Sequence, residues 1–344
     1  MEYAESLAQL KELWGKGCEF LGSKHAILGG AMTWVSERNL VSALSNAGGF
    51  GVIACGAMTP DQLAVEIAAT QRLTDKPFGV NLITMHPDLK RLMKVCIDHN
   101  VGHVILAGGF PRSDAIKFIK NGGAKVMCFA PTLGMAKRLL KSGTDALIIE
   151  GAEAGGHIGP VATSILAQEI LPKVKGVPVF IAGGIGRGDA MVTYLEMGAS
   201  GCQLGTIFVC SEESIAHENY KQAFIRASAR DAVPSVQLDP RFPVIPVRAI
   251  RNNATREFEN IQRKVIKAFN EKKLDQQGAQ LKIEKFWAGA LRRGVLDGDI
   301  ETGSLMAGQS VGMVTEIKPI AEIIQKLLFE ALEILSSRNL KRQK

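Results

Sequence analysis

The sequence predicts an α/β protein: a TIM (β/α)8 barrel of eight parallel strands with an inserted, mainly helical lid. Three observations lead there. Between residues 146 and 206 three short apolar runs, 146–149, 177–182 and 201–204, each stop at glycines with room for one helix between them, which is the pattern of consecutive βαβ units. Five more strand-then-helix repeats precede them, and eight such units over roughly 180 residues is barrel arithmetic. No G-x-G-x-x-G follows the first strand, which weighs against a doubly wound sheet.

Taken in order, the chain opens with a helical segment over 4–13 and reaches AILGGAMTW, a strand that ends in glycines. Ser36 is placed to cap a helix whose Leu40, Val41 and Leu44 share one face. FGVIAC (50–55) leads to Thr59-Pro60-Asp61-Gln62, which joins capping-box spacing to a proline at the first helical position. FGVNLI (78–83) follows, with a helix over 88–99. HVILAGG (103–109) and KVMCFAP (125–131) come next, each with its helix, and 146–206 supplies strands six to eight.

From Ser211 the pattern changes to longer helices. Pro243 and Pro246 bracket Val244 and Ile245, VRAIRNNATREFE opens a charged helix, and another helix is expected over 283–293. The loop GDIETGSLMAGQSVGMV precedes an amphipathic helix over 319–335, with Ile320, Ile323, Ile324, Leu327 and Leu328 on one side as core packing. Three parts are therefore expected: the barrel over 1–210, a helical lid over 211–299, and a site loop with a returning helix over 300–344.

The 344 residues, 46% hydrophobic with 36 glycines and a mean hydropathy of +0.09, describe a compact enzyme-like chain whose one candidate for disorder is the basic tail 339–344. The cysteines (Cys18, Cys55, Cys96, Cys128, Cys202, Cys210) show no C-x-x-C spacing and read as core thiols of a reducing compartment; no metal-ligand spacing and no nucleophile elbow is found. Residues 1–14 are polar and amphipathic rather than a leader, and no apolar run approaches 18 residues, so a cytoplasmic protein without a membrane span is expected. The net charge of +7 favours an acidic partner, but the basic residues are scattered and not interleaved with aromatics, which argues against nucleic acid. An acidic carrier protein or an anionic small molecule suits it better, and a homodimer is compatible with it.

In a barrel all strand C-termini share one face, so GGAM, GVNL, LAGG, FAPT, EGAEAGGHIG, AGGIGRGD and QLGT converge. Phosphate in such barrels sits on the loops after strands seven and eight, here Gly183, Gly184, Gly205 and Thr206, and the helix after Arg187 is expected to add its dipole. Glycine lets backbone approach a phosphate closely. A phosphorylated cofactor is the first hypothesis.

With GVNL, EGAEAGGHIG, AGGI and QLGT in register around one barrel, the chain resembles the FMN-dependent family of nitronate monooxygenases (2-nitropropane dioxygenases) and flavin-type enoyl-acyl-carrier-protein reductases, over about 26–328. The resemblance implies FMN at the barrel mouth. It places Ala31 and Met32 behind the isoalloxazine, Asn81 at the flavin with its amide, and 150–156, including Glu150, Gly155 and Gly156, along the ribityl chain. Gly183, Gly184, Gly205 and Thr206 fall at the phosphate with Gln203 nearby. Gly30-Ala31-Met32 departs from the more usual two glycines before the methionine. Met306 and Gln309 lie in a loop that the family holds close to the flavin.

His157 falls where the family places its catalytic histidine, near flavin N5. An unperturbed imidazole titrates near 6.5, so it can take or give a proton at neutral pH. His25, His86, His99, His103 and His217 read as structural residues at helix ends, turns or exposed positions. Glu153 is a second acid or a solvated carboxylate, and Arg248 and Arg251 meet an anionic substrate or form structural ion pairs.

The expected reaction is oxidation of a nitronate by O2, with NAD(P)H-dependent enoyl-thioester reduction as the alternative. LTDKPFGVNL, RAIRNNATREFE and GSLMAGQSVGMV resemble the reductase branch, while LDPRFPVIPV and the N-terminal extension depart from it. Outside flavin chemistry, a sugar-phosphate isomerase or aldolase barrel would use the same phosphate loops but would need a strand-end lysine or carboxylate base, and Lys125 stands at the wrong end of its strand. A flavin carrier without catalysis would leave the His157 loop without purpose.

Overall fold

The computed structural model describes residues 2–242 and 245–342. Eight strands form one parallel sheet: β1 (Ile27–Gly29), β2 (Gly51–Ala54), β3 (Phe78–Ile83), β4 (His103–Ala107), β5 (Lys125–Phe129), β6 (Ala146–Glu150), β8 (Val179–Ala182) and β9 (Gly201–Leu204). Their order is β1-β9-β8-β6-β5-β4-β3-β2. A parallel bridge from Leu28 to Phe50 closes the ring, with Gly29 N–H donating to Phe50 O at 2.9 Å. The barrel is therefore the TIM architecture that the strand count predicts. Three short strands make a second sheet, β10 (Ala232–Pro234), β11 (Val247–Ile250) and β7 (Gly156–His157), all antiparallel.

Strand alternation decides what fills the barrel. Phe50, His103 and Phe180 point inward at the N-terminal end, where Phe20 of the helix Glu2–Leu21 meets them at ring separations of 5.3 Å (His103) and 6.2 Å (Phe180), and His103 stands 5.0 Å from Phe50. That helix runs on past the expected 4–13 because Leu10, Trp14 and Leu21 bury against the barrel floor. The C-terminal helix Ile320–Arg342 buries Ile320, Ile324, Leu327, Ala331 and Leu335 and packs on both Glu2–Leu21 and Gly188–Glu196. The expected tail disorder is corrected there: the helix continues to Arg342, and Asn339 Nδ2 donates to Gln9 Oε1 at 3.1 Å. Gln343 and Lys344 lie outside the described residues.

Caps follow the sequence in one place and not in another. Thr59 and Gln62 form the expected capping box with Pro60 at the first position. Ser36 does not cap the next helix; Glu37 does, its carboxylate accepting from Asn39 N–H and Leu40 N–H. The Ser36 hydroxyl instead donates to Gly30 O at 2.8 Å and accepts from Met32 N–H at 3.0 Å, which ties the loop after β1 into a turn.

After the barrel, Ala216, Tyr220 and Phe224 still join the main core. A second apolar cluster gathers Phe242, Val247, Phe258, Val265, Ile283 and Trp287 between the helices Asn253–Asn270 and Gln276–Asp297. VRAI is not the start of the charged helix, as expected, but strand β11; the helix begins after Asn252, whose side chain caps it. Pro243 and Val244 lie outside the described residues. Met306 packs against both clusters.

Two histidines expected at exposed or terminal positions are buried in the barrel floor. Burial pushes His25 and His103 down to about 4. A base whose folded pKa lies below its unfolded value near 6.5 binds fewer protons when folded, so its contribution is intact above pH 6.5 and is lost as pH falls toward 4. Unfolding free energy is therefore expected to drop by a few kcal/mol between pH 7 and pH 4.5, since each tenfold loss of proton affinity on folding is worth about 1.4 kcal/mol. Urea midpoints for His103→Gln should show a shallower pH slope than the parent; parallel slopes would refute the assignment.

Candidate active site

The catalytic face is built where the strands end. By the alternation that points Phe180 inward, Asn81 (β3), Glu150 (β6) and Gln203 (β9) are the inward polar residues of the top layer, with Glu150 and Gln203 both in register with Ala182. Asn81 and Gln203 are buried, and among the described residues none of the three side chains has a hydrogen-bond partner. Burial pushes the Glu150 carboxyl up to about 8, so at neutral pH it is mainly protonated and can donate a hydrogen bond. Three polar groups without a protein partner around a barrel mouth are free to bond a ligand or water.

The glycine loops lie beside this layer. Gly183 (φ +94°) and Gly184 (φ +75°) hold left-handed backbone, and a Cβ on Gly183 would stand 3.1 Å from Gly151 O and 3.2 Å from Ala154 N. Gly205 and Thr206 open a short helix, Thr206–Val209, at the end of β9. This corrects the expected source of the dipole. The helix after Arg187 has its first amide taken: Gly188 N–H donates to Glu330 Oε2 at 2.8 Å, and Arg187 pairs with Glu330 at 3.5 Å. The short helix Thr206–Val209 begins beside the loops of Gly183 and Gly184 at the same strand ends.

The loop between β6 and β7 carries His157. Its backbone is pressed against the 304–309 segment: a Cβ on Gly155 would lie 2.6 Å from Gly308 N and 2.7 Å from Ala307 C. Gly308 N–H donates to Thr206 Oγ1 at 3.0 Å, and Gln309 N–H donates to Glu153 O at 2.9 Å. Gly156 (φ +76°) faces the Met306 sulfur at 3.6 Å from an added Cβ. Glu153 is tied down through one carboxylate oxygen. It accepts from Thr163 N–H and Thr163 Oγ1, each at 2.9 Å, and so anchors the helix Thr163–Ile170.

His157 pairs with Val247 across the β7–β11 ladder, and Ile158 N–H donates to Pro246 O at 2.9 Å. The imidazole is open to solvent, yet the protein walls around it desolvate the cation and lower its pKa, so it is neutral at pH 7. Arg248, one residue along β11, is buried; its Nε donates to Ala152 O at 2.8 Å and its Nη1 to Ala232 O at 2.5 Å. Those bonds fix the His157 loop to the lid sheet. Ala31 and Met32 are half-buried at the end of β1, where a Cβ on Gly205 would stand 3.4 Å from the Met32 sulfur and Met32 O accepts from Val35 N–H and Ser36 N–H.

The fold thus brings Met32, Gly205, Thr206, Glu153, Gly155, Gly156 and Met306 into one contiguous surface next to His157. Sequence reasoning missed Thr163, which bonds Glu153 ten residues earlier, and Glu330, which bonds Gly188 142 residues away; it read Gly308 only as a turn glycine. It also missed Trp34, which holds φ +68° in the loop behind Met32; a bulky residue there stores about 1–3 kcal/mol of strain.

A closed parallel barrel with phosphate-type glycine loops and a histidine at its mouth is an arrangement that flavin-dependent oxidoreductases share with other barrel enzymes. The family model described as nitronate monooxygenase matches residues 17–95 and 87–330, and the chain belongs to that family. Among solved structures it resembles FabK from Thermotoga maritima, at 37% identity over 94% of this chain and 97% of that one, with a TM-score of 0.84. It is 30% identical, over 93% of its length and 96% of the relative's, to (3aS,4S,5R,7aS)-5-hydroxy-7a-methyl-1-oxo-octahydro-1H-indene-4-carboxyl-CoA dehydrogenase of Mycobacterium tuberculosis. A probable nitronate monooxygenase of Staphylococcus saprophyticus is 27% identical over 92% of this chain and 97% of its own.

Gly155→Ala drives a methyl group into the Ala307–Gly308 backbone and is expected to lower stability by about 1–3 kcal/mol. Chemical denaturation would measure it, and an unchanged midpoint would mean that the two segments are not in contact in solution.

Proposed function

We propose that the protein is an FMN-dependent oxidoreductase acting on carbon acids activated by an acyl thioester. The observation that carries this reading is the pairing of a neutral His157 with an uncharged, partnerless polar layer at the barrel mouth. The residues present fit FMN: Asn81, Glu150 and Gln203 offer hydrogen bonds that the protein itself does not satisfy, and Gly183, Gly184, Gly205 and Thr206 offer close backbone approach for a phosphate. Ala31 and Met32 would back the ring. When bound, FMN would supply the two-electron acceptor or donor.

The chain's own residues supply the rest. His157, uncharged at neutral pH, is a base able to take the proton next to an activating carbonyl, or to return it in the reverse direction. The Arg248 bond to Ala152 O and the β7–β11 ladder fix where its ring stands. Met306, wedged between the barrel and lid cores, covers the same loop and limits water, while Gln309 acts through its backbone on Glu153.

A thioester is favoured because two relatives covered nearly end to end support that branch: the CoA dehydrogenase by its name, and FabK with the segments that resemble the enoyl reductases. Nitronate oxidation by O2 is the second reading. It is supported by the family match, and it asks the same base to remove a proton beside a nitro group. NAD(P)H belongs to the thioester reading as reductant, and acyl carrier protein is the alternative thioester carrier.

Anaerobic stopped-flow mixing separates the two. Bleaching of the flavin band near 450 nm by NADH or NADPH, with reoxidation by crotonyl thioesters, supports the first reading; bleaching by a nitronate alone overturns it. His157→Ala is expected to lower kcat/KM about 10²–10⁴-fold with flavin content unchanged. Because the base must be deprotonated and its pKa lies below 6.5, parent activity in the direction of proton removal should be level near pH 7 and fall only under pH 6.5. An acid limb with its midpoint above pH 7 would contradict the assignment.

A further inference from the structure

One half of the barrel mouth is apolar, and the proton chemistry above makes no use of it. Residues paired across a parallel sheet share a face, and along a strand every second residue returns to it. Phe180 points inward, and so, through its partner Ile148, does Phe129 on β5. Asn81 points inward, and two residues further along β3 so does Ile83, paired with Ala107 on β4. Ile83, Ala107 and Phe129 each end their strand and are half-buried, whereas the inward layer beneath them, Asn81, Ile105 and Met127, is buried.

Close contacts join this arc to the candidate site. A Cβ on Gly56, just past β2, would stand 3.4 Å from Ile83 Cγ1 and 3.5 Å from Thr33 Oγ1, and one on Gly108 would stand 2.9 Å from Ile83 Cγ2. Ile83 is thus flanked by two glycines, and a side chain at either would crowd it. Thr33 follows Met32, whose sulfur lies against Gly205, so one surface runs from the phosphate-type loops to Ile83. His86 N–H donates to Ile83 O at 2.9 Å and closes a turn that carries Met85. The Met85 side chain is 73% exposed, more than any other large apolar side chain among the described residues.

The two halves of the mouth differ in chemistry. Glu150, Gln203 and the glycines after β8 and β9 supply hydrogen bonds and backbone amides on one side, while Ile83, Ala107, Phe129 and Met85 supply neither a strong donor nor a charge on the other. Ile83 lies about 7 Å along the strand from Asn81, at roughly 3.3 Å per residue. A molecule that reacts over Asn81 therefore has an apolar wall beside it, and a thioether, flexible and polarizable, adapts to the shape of what it covers.

We propose that the arc of Gly56, Ile83, Ala107 and Phe129, with Met85 at its lip, binds the apolar chain of the acyl group, so that the protein selects thioesters with extended apolar acyl chains over four-carbon ones. The proposal rests on the thioester reading above and names the substrate class within it. Burying the chain against these side chains supplies the preference. An acyl group with a charged or hydroxylated end finds no side-chain partner in the arc and is disfavoured.

Calorimetric titration of the flavin-loaded protein with butanoyl-, hexanoyl- and octanoyl-pantetheine is expected to show affinity rising about tenfold for every two methylenes added. Met85→Glu changes an exposed side chain, so the variant should fold as the parent does, and it sets a carboxylate beside the chain. In that variant the octanoyl-to-butanoyl affinity ratio should fall about tenfold. The anions of nitroethane, 1-nitrobutane and 1-nitrooctane, followed by kcat/KM, carry the same chains on a different reacting group. Turnover of the nitronates alone, with the rise along the chain kept, would refute the thioester reading and leave the arc in place. A rise absent from both series, or untouched by Met85→Glu, overturns the proposal.

Discussion

Everything at the catalytic face depends on two backbones running in contact without side chains between them. Gly155 meets Ala307 and Gly308 at distances that exclude a Cβ, and Gly308 in turn lies against Glu153 O and Thr206 Oγ1. The His157 loop, the segment after the lid and the short helix after β9 are locked through this one junction. Close main-chain packing of this kind is stiff because interiors lack room to yield. It lets an exposed imidazole stand at a fixed place.

A second constraint is electrostatic. The barrel mouth holds few net charges: Glu150 is mainly protonated near neutral pH and His157 is neutral, each through burial or desolvation. The Arg248 cation is spent on the carbonyls of Ala152 and Ala232. Such a surface suits the transfer of electrons and a proton proposed for it.

Much of the architecture was legible in the chain. The alternation of apolar runs with helix-length segments predicts the eight parallel strands, and Thr59-Pro60-Asp61-Gln62 marks a helix start that the structure forms with both capping bonds. Local rules fail where a distant group competes. Ser36 has the composition of a cap, but the carbonyl of Gly30 and the amide of Met32 claim its hydroxyl, and Glu37 caps instead. VRAI reads as the front of a charged helix until β7 offers it a strand partner.

The candidate site divides along the same line. By itself the sequence determined which residues gather at the strand ends, because alternation and chain direction place every strand C-terminus on one face of a parallel barrel. It also singled out Gly183 and Gly184, which hold the left-handed backbone that glycine adopts freely. Only tertiary structure decided what those residues are free to do. The amide of Gly188 is closed to an anion by Glu330, 142 residues away. Glu153 becomes an anchor for Thr163, and Glu150 gains its proton from the barrel around it. Hydrogen-bond partnership and desolvation are properties of neighbours brought together by folding, and no short stretch of chain encodes them.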